Sequence, residues 1–245
     1  MADKLGKIRL FVTAALGEGA AVPLNRSQAH YLFNVMRLDA GATLSIFNGR
    51  DGEWRAEVVE AGKRRGLLAA REKTAPQRVP PDLWLAFAPI KKARTDFIVE
   101  KAAELGVARI LPVFTRHTNA ERLRIDRLRA HAIEASEQCG ETHVAEVAEP
   151  AKLDALLDGW DPARRLMFCD ETRDALPATD ALADAARGPW AILIGPEGGF
   201  APDEVDRLRA LPHVTAVTLG PRILRADTAA VAAITLWQST LGDWR

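Results

Sequence analysis

The sequence predicts an α/β protein of two domains, a small β-rich one followed by a larger one built on a mostly parallel sheet. Three observations predict it. Residues 8–72 carry short alternating apolar runs broken by turn residues, the pattern of a small barrel. Residues 74–82, Thr-Ala-Pro-Gln-Arg-Val-Pro-Pro-Asp, are rich in proline and lack any apolar period, which marks a linker. From residue 83 onward, apolar runs alternate with segments of helical period, which implies strand–helix–strand units. The expected boundaries are therefore 1–73, 74–82 and 83–245.

In the first domain Ile8 to Val12 reads as a strand, and Ser27 to Arg37 as a short helix with Ser27 at its N-cap. Thr43–Phe47 and Glu53–Val59 alternate on either side of Asn48-Gly49-Arg50-Asp51-Gly52, so a hairpin is expected there. Leu67 to Arg71 supplies a further strand. In the second domain Leu83–Ala88 is strand-like. The helix from about Lys92 to Leu105 is marked by Ile98, Ala102 and Leu105 at helical spacing and by Gly106 as a C-cap. Arg109–Phe114 is the next strand and Ile125–Cys139 the next helix; Leu166–Cys169, Trp190–Ile194 and Val214–Leu219 are further strands. The last helix, roughly Ala226 to Leu241, has no charged residue between Asp227 and Asp243. Apolar side chains on every face imply burial all round, and the expected cause is a homodimer interface.

Composition narrows the function. Across 245 residues, 33 basic and 33 acidic side chains cancel, but residues 1–130 hold 23 Lys and Arg against 14 Asp and Glu. A basic front half points to an anionic partner. Two cysteines and five scattered histidines show neither a disulfide framework nor metal-ligand spacing, so no metal is expected. Residues 1–20 lack a secretory core and no 18-residue apolar run exists; no membrane association and a cytoplasmic location are expected.

The chemistry concentrates in two loops. Ile194-Gly195-Pro196-Glu197-Gly198-Gly199-Phe200 and Leu219-Gly220-Pro221-Arg222-Ile223-Leu224-Arg225 each follow an apolar run. Such loops at strand C-termini are where open α/β sheets bind ligands, and glycine lets backbone approach closely. No GxxxxGK[ST] exists, the first loop is not GxGxxG, and Pro196 removes a backbone donor that a phosphate cradle would use. The loops therefore suit a flatter, less anionic ligand such as an adenosine moiety. No GxSxG is present, and Cys139 reads as a buried small hydrophobe. Glu197 could orient a substrate, meet a basic residue, or cap a helix starting near Pro202. Arg225 could neutralise a phosphate or a developing anion, or pair with Asp227 or Glu197.

With these residues in view, the chain resembles a known family. Leu193-Ile194-Gly195-Pro196-Glu197-Gly198-Gly199-Phe200, followed by Leu219-Gly220-x-Arg222-Ile223-Leu224-Arg225-x-Asp227-Thr228-Ala229, resembles the bacterial 16S ribosomal RNA uracil-N3 methyltransferases of the SPOUT superfamily. Lys101-Ala102-Ala103-Glu104-Leu105-Gly106-Val107, Glu137-Gln138-Cys139, Arg9-Leu10-Phe11-Val12, His30 and Val35-Met36-Arg37-Leu38 extend the resemblance over nearly the whole chain. One departure is Asp227, where the family usually has Glu; the charge is kept but its reach is shorter by one methylene.

The resemblance implies an N-terminal PUA-like barrel that helps hold RNA and a C-terminal trefoil-knotted methyltransferase domain. It also implies a homodimer, S-adenosyl-L-methionine as cofactor, and the 16S rRNA or small ribosomal subunit as partner. Gly195, Gly198 and Gly199 would permit close backbone approach; Leu193, Leu219, Gly220, Ile223 and Leu224 would line the adenine and ribose. Methylating uracil N3 requires loss of its proton, for which Arg225 would stabilise the uridinate or its phosphate, and Glu197 would orient the base or that arginine. Candidate phosphate contacts are Arg9, Arg37, Arg50, Arg55, Lys91, Lys92 and Arg94. Trp54 could stack on a base or pack in the core. The competing readings are a SPOUT ribose 2′-O-methyltransferase acting on rRNA or tRNA, and a non-catalytic rRNA-binding assembly factor.

Overall fold

A computed structural model describes residues 8–119, 123–172 and 174–244. By contact density the chain divides into two units, Met1–Val79 with Ser136–Val144, and Pro80–Ala135 with Ala145–Arg245.

The first unit is a five-stranded sheet. Its strands are β1 (Arg9–Phe11), β2 (Ala21–Leu24), β3 (Thr43–Phe47), β4 (Glu53–Ala61) and β5 (Gly66–Ala75), in spatial order β1-β3-β4-β5-β2. β1 runs parallel to β3, and the other pairings are antiparallel. The hairpin at residues 48–52 forms as expected, with positive φ at Gly49 and Gly52. β5 continues to Ala75, into the stretch read as linker. Val22, Leu24, Leu32, Leu44, Ile46, Ala56, Val58 and Leu68 form the core, and Trp54 packs against it.

The helix after β2 starts earlier than expected. Asn25, not Ser27, is its N-cap: the Asn25 side chain accepts the Gln28 N–H at 2.9 Å, and Gln28 Oε1 accepts the Asn25 N–H at 3.0 Å. This reciprocal capping box satisfies two end donors at once, which a serine two residues later cannot match. The helix α1 (Arg26–Ala29) then widens into a π-turn over His30–Val35 and ends before Arg37, which has φ of +56°.

The second unit is an eight-stranded sheet with every pairing parallel. Its strands are β6 (Leu83–Phe87), β7 (Arg109–Phe114), β8 (Glu146–Val147), β9 (Ala151–Lys152), β10 (Arg165–Cys169), β11 (Leu176–Pro177), β12 (Trp190–Ile194) and β13 (Val214–Thr218), in the order β11-β13-β10-β12-β6-β7-β8 with β9 also on β7. The connecting helices are α2 (Lys92–Glu104), α3 (Ile125–Cys139), α4 (Leu153–Asp158), α5 (Ala178–Ala183), α6 (Pro202–Ala210) and α7 (Ala226–Thr240). Alternate residues of the strands serve opposite faces. Ala191 and Leu193 of β12 join Leu153, Leu157, Val205 and Leu208 of α4 and α6 in one cluster; α7 packs on β12 and against α2.

The end of α2 is held by α7: Gln238, fully buried, donates to the Leu105 carbonyl at 2.6 Å beside Gly106 at φ +77°. Within this chain α7 buries one stripe, Ala226, Ala230, Ala233, Ile234, Trp237 and Gln238. Val231 and Leu236 are only half-buried. No helix among the described residues is long and apolar enough to cross a membrane.

Candidate active site

β10, β12 and β13 are parallel neighbours in close register, Phe168 of β10 lying beside both Leu193 and Ala216. Their C-terminal loops must therefore emerge side by side. They enclose a crevice of about 490 Å³, lined by both loops singled out from the sequence and by the loop after β10. Gly195, Gly199, Leu219, Gly220, Ile223, Leu224, Glu197 and Arg225 all line it.

Two predicted cofactor residues do not. Leu193 is fully buried in the α4–α6 cluster, because strand alternation turns it away from the loop side; Ile194 lines the crevice in its place. Gly198 faces the other way, with its carbonyl accepting from His117 Nδ1 at 3.1 Å. Two of these glycines also answer to packing within the protein. A Cβ on Gly195 would lie 2.5 Å from the Phe200 ring, and one on Gly199, at φ +69°, would run into the Glu171 carboxylate. Phe200 is itself pinned, edge-on to Phe168 with ring centroids 5.1 Å apart. The Pro196–Gly199 turn closes with a 3.0 Å backbone bond, and Glu171 accepts the Phe200 N–H at 3.0 Å. Protein packing, before any ligand, requires these glycines.

The end of β10 and the loop after it carry crevice residues that sequence reading missed: Cys169, Asp170 and Glu171. Asp170 has no exposed side-chain surface and sits 2.6 Å from the Arg209 guanidinium. Burial raises the cost of its charge, yet the Thr172 N–H and Arg209 hold its carboxyl below the usual range. Burial pushes the Cys169 thiol up to about 12. Cys139, expected to be buried, is exposed at the end of α3.

Neither pairing envisaged for Arg225 forms. Arg225 occupies the N-cap of α7 and is exposed, and no carboxylate among the described residues lies within ion-pair distance. Arg94, from the first turn of α2, takes that place instead: its Nη1 is 3.8 Å from Glu197 and 3.7 Å from Asp227. That nitrogen is buried without a hydrogen bond. Glu197 does not cap α6, because Glu204 already accepts the Ala201 and Arg116 N–H groups at 2.9 Å each.

The other predicted phosphate contacts divide. Arg9 is spent inside the first unit: Glu53 accepts from it at 2.8 Å, the Glu141 carbonyl at 2.9 Å, and its guanidinium lies 4.5 Å from the Phe47 ring centre. Arg55 pairs with Glu72 at 3.1 Å. Arg37, Arg50, Lys91 and Lys92 are exposed. The run Lys63-Arg64-Arg65, at the tip of the β4–β5 hairpin, is exposed too, with no carboxylate partner among the described residues. Three consecutive cations were the signal that could have found it. Among the described residues no group of three His, Cys, Asp or Glu side chains could hold a metal ion.

The crevice fits S-adenosylmethionine in kind. It offers the backbone of residues 218–225, apolar Ile223, Leu224 and Ala229, and a Gly220 with open space where a Cβ would stand. Comparison with known proteins leads the same way. A family model described as an RNA methyltransferase domain matches residues 77–238, and one described as an RNA methyltransferase PUA domain matches residues 24–69. The ribosomal RNA small subunit methyltransferase E of Rickettsia conorii is 31% identical over 232 residues, covering 92% of this chain and 93% of that protein. A methyltransferase of Legionella pneumophila with bound cofactor superposes with a TM-score of 0.88 at 27% identity, covering 96% of this chain and 98% of that one. The methyltransferase E of Neisseria gonorrhoeae bound to S-adenosyl methionine does so at 0.85, also 27% identical, covering 97% and 99%. By sequence and by fold, the chain belongs to the ribosomal RNA small subunit methyltransferase E family.

Proposed function

We propose that the protein transfers the methyl group of S-adenosylmethionine to N3 of a specific uridine in 16S rRNA. The observation that carries this reading is the convergence of the Gly195–Phe200 and Leu219–Arg225 loops on one crevice with an unpaired arginine at its edge. When bound, S-adenosylmethionine supplies a methyl on a sulfonium, an electrophile that leaves a neutral thioether behind. The chain's residues must do the rest. Uracil N3 is a nucleophile only after losing its proton, and the negative charge then spreads over O2 and O4. Arg225, with no carboxylate competing for it, stabilises that charge. Glu197, half-exposed near Arg94, accepts or holds the N3 proton. Because N3 lies on the Watson–Crick edge, the base enters unpaired.

A homodimer through the half-open flank of α7, with Val231 and Leu236, and a trefoil knot in the second unit belong to the same reading. A reaction on ribosomal RNA belongs in the cytoplasm. Sedimentation at micromolar concentration is expected to give twice the chain mass; a monomer defeats the dimer. The activity is tested with labelled S-adenosylmethionine and small subunits from a strain lacking this gene, followed by nucleoside mass spectrometry. N3-methyluridine is the expected product. A 2′-O-methyl nucleoside would leave the fold and overturn the chemistry.

A further inference from the structure

A second cavity, of about 620 Å³, shares a wall with the cofactor crevice: Lys91, Pro196 and Glu197 line both. We propose that this second cavity receives the target nucleotide as one unit, its base against the shared wall and its phosphate on Lys92 and Arg124. The inference deepens the function proposed above and rests on it.

Position is the first argument. A methyl acceptor must reach the donor from outside the donor's own binding space, so the two chambers have to meet at a common wall. The side chain at that wall is Glu197, the carboxylate assigned to the N3 proton. The second argument is chemistry. The lining holds four basic side chains, Lys91, Lys92, Arg124 and Arg127, against two acidic ones, Asp96 and Glu197. Arg127 is paired with Asp96, whereas Lys92 and Arg124 are exposed, and no carboxylate among the described residues pairs with them. Their charges remain for a phosphate.

Helix geometry adds to this charge. Lys91 caps α2 without a side-chain cap bond, and α2 has no acidic residue in its first turn. The Arg124 carbonyl accepts the Arg127 and Leu128 N–H groups at the start of α3. Two long helices thus turn their positive ends toward one space, at residues that are basic where an acidic or hydroxyl side chain is the usual cap. The third argument is shape. Pro89, Ile90, Leu123 and Leu128 give apolar walls and His117 adds one imidazole ring, so a base would meet aliphatic faces with a single ring beside them. The volume lies within the range typical of small-ligand sites.

The experiment separates this proposal from the one beneath it. Leu123→Trp places a bulky side chain in the second cavity from a half-buried position outside the cofactor crevice; Lys92→Ala with Arg124→Ala removes the two free charges. Affinity for S-adenosylmethionine is measured by calorimetry, binding of a fluorescein-labelled single-stranded hexauridylate by anisotropy, and transfer on small subunits by label incorporation. Both variants are expected to bind the cofactor within about twofold of the parent. Leu123→Trp should weaken hexauridylate at least tenfold. The double variant should raise KM about tenfold and make the salt dependence shallower by about 0.7 in log–log slope, one single-strand phosphate. Unchanged hexauridylate binding in Leu123→Trp, or an unchanged salt slope in the double variant, overturns the cavity assignment. Loss of cofactor affinity matching the loss of transfer overturns it as well. Failure of the parent protein to make N3-methyluridine, with these binding differences intact, overturns the reaction and leaves the cavity.

Discussion

Replacing Arg225 by alanine is expected to lower kcat by about two to three orders of magnitude, with cofactor affinity close to that of the parent. The reasoning is electrostatic. Arg225 stands at the N-cap of α7, exposed at the crevice edge and without a carboxylate partner among the described residues. Charge on uracil O2 and O4 develops only as the N3 proton leaves, so the guanidinium acts mainly on the transition state, where one lost donor costs about 10²–10³ in kcat. Arg225→Lys should recover part of the loss, since the charge is kept but the planar fork is not. Single-turnover transfer under saturating RNA separates the chemical step from binding. Wild-type turnover in the alanine variant would take Arg225 out of the reaction.

The second large effect is on stability. Asp170→Asn is expected to cost about 2 kcal/mol at neutral pH, the scale of a buried hydrogen-bonded charge losing its partners. Asp170 is buried, accepts from Thr172 and Arg209, and has its pKa lowered in the folded protein. A group depressed on folding contributes stability that is fully present above its unfolded pKa and is lost as pH falls through the folded value. The gap between parent and variant in urea unfolding should therefore be constant near neutrality and shrink below about pH 4. A gap that persists unchanged to pH 3 would show that the loss is one of packing alone. Because Asp170 begins the loop that carries Glu171, the variant should also bind the cofactor more weakly.

Legibility in the sequence followed the physics of each element. β7 at Arg109–Phe114, β12 at Trp190–Ile194 and α3 at Ile125–Cys139 match their expected bounds, because an apolar run with clear ends or a sustained helical period leaves little choice. The two-residue strands β8, β9 and β11 have no period to read. Asn25 was passed over for Ser27, since the capping box depends on Gln28 reaching back. At the site, glycines announced two of the three loops. The third holds Asp170 and Glu171, and carboxylates in a loop look like solvated charge until Arg209 and the Phe200 N–H are seen to meet them. In the sequence Arg94 looks like one more phosphate contact; the parallel pairing of β6 and β12 is what brings the first turn of α2 to Glu197 and Asp227.

Cys169 carries a consequence for the protein's own survival. A thiolate is among the best nucleophiles a protein possesses, and Cys169 lines the crevice in which an alkylating sulfonium would sit at every turnover. With the thiol pushed up to about 12, its nucleophilic thiolate form is scarce at pH 7. A thiol raised in this way would be spared the methylation that a thiolate in the same place would invite, with no residue set aside for the task.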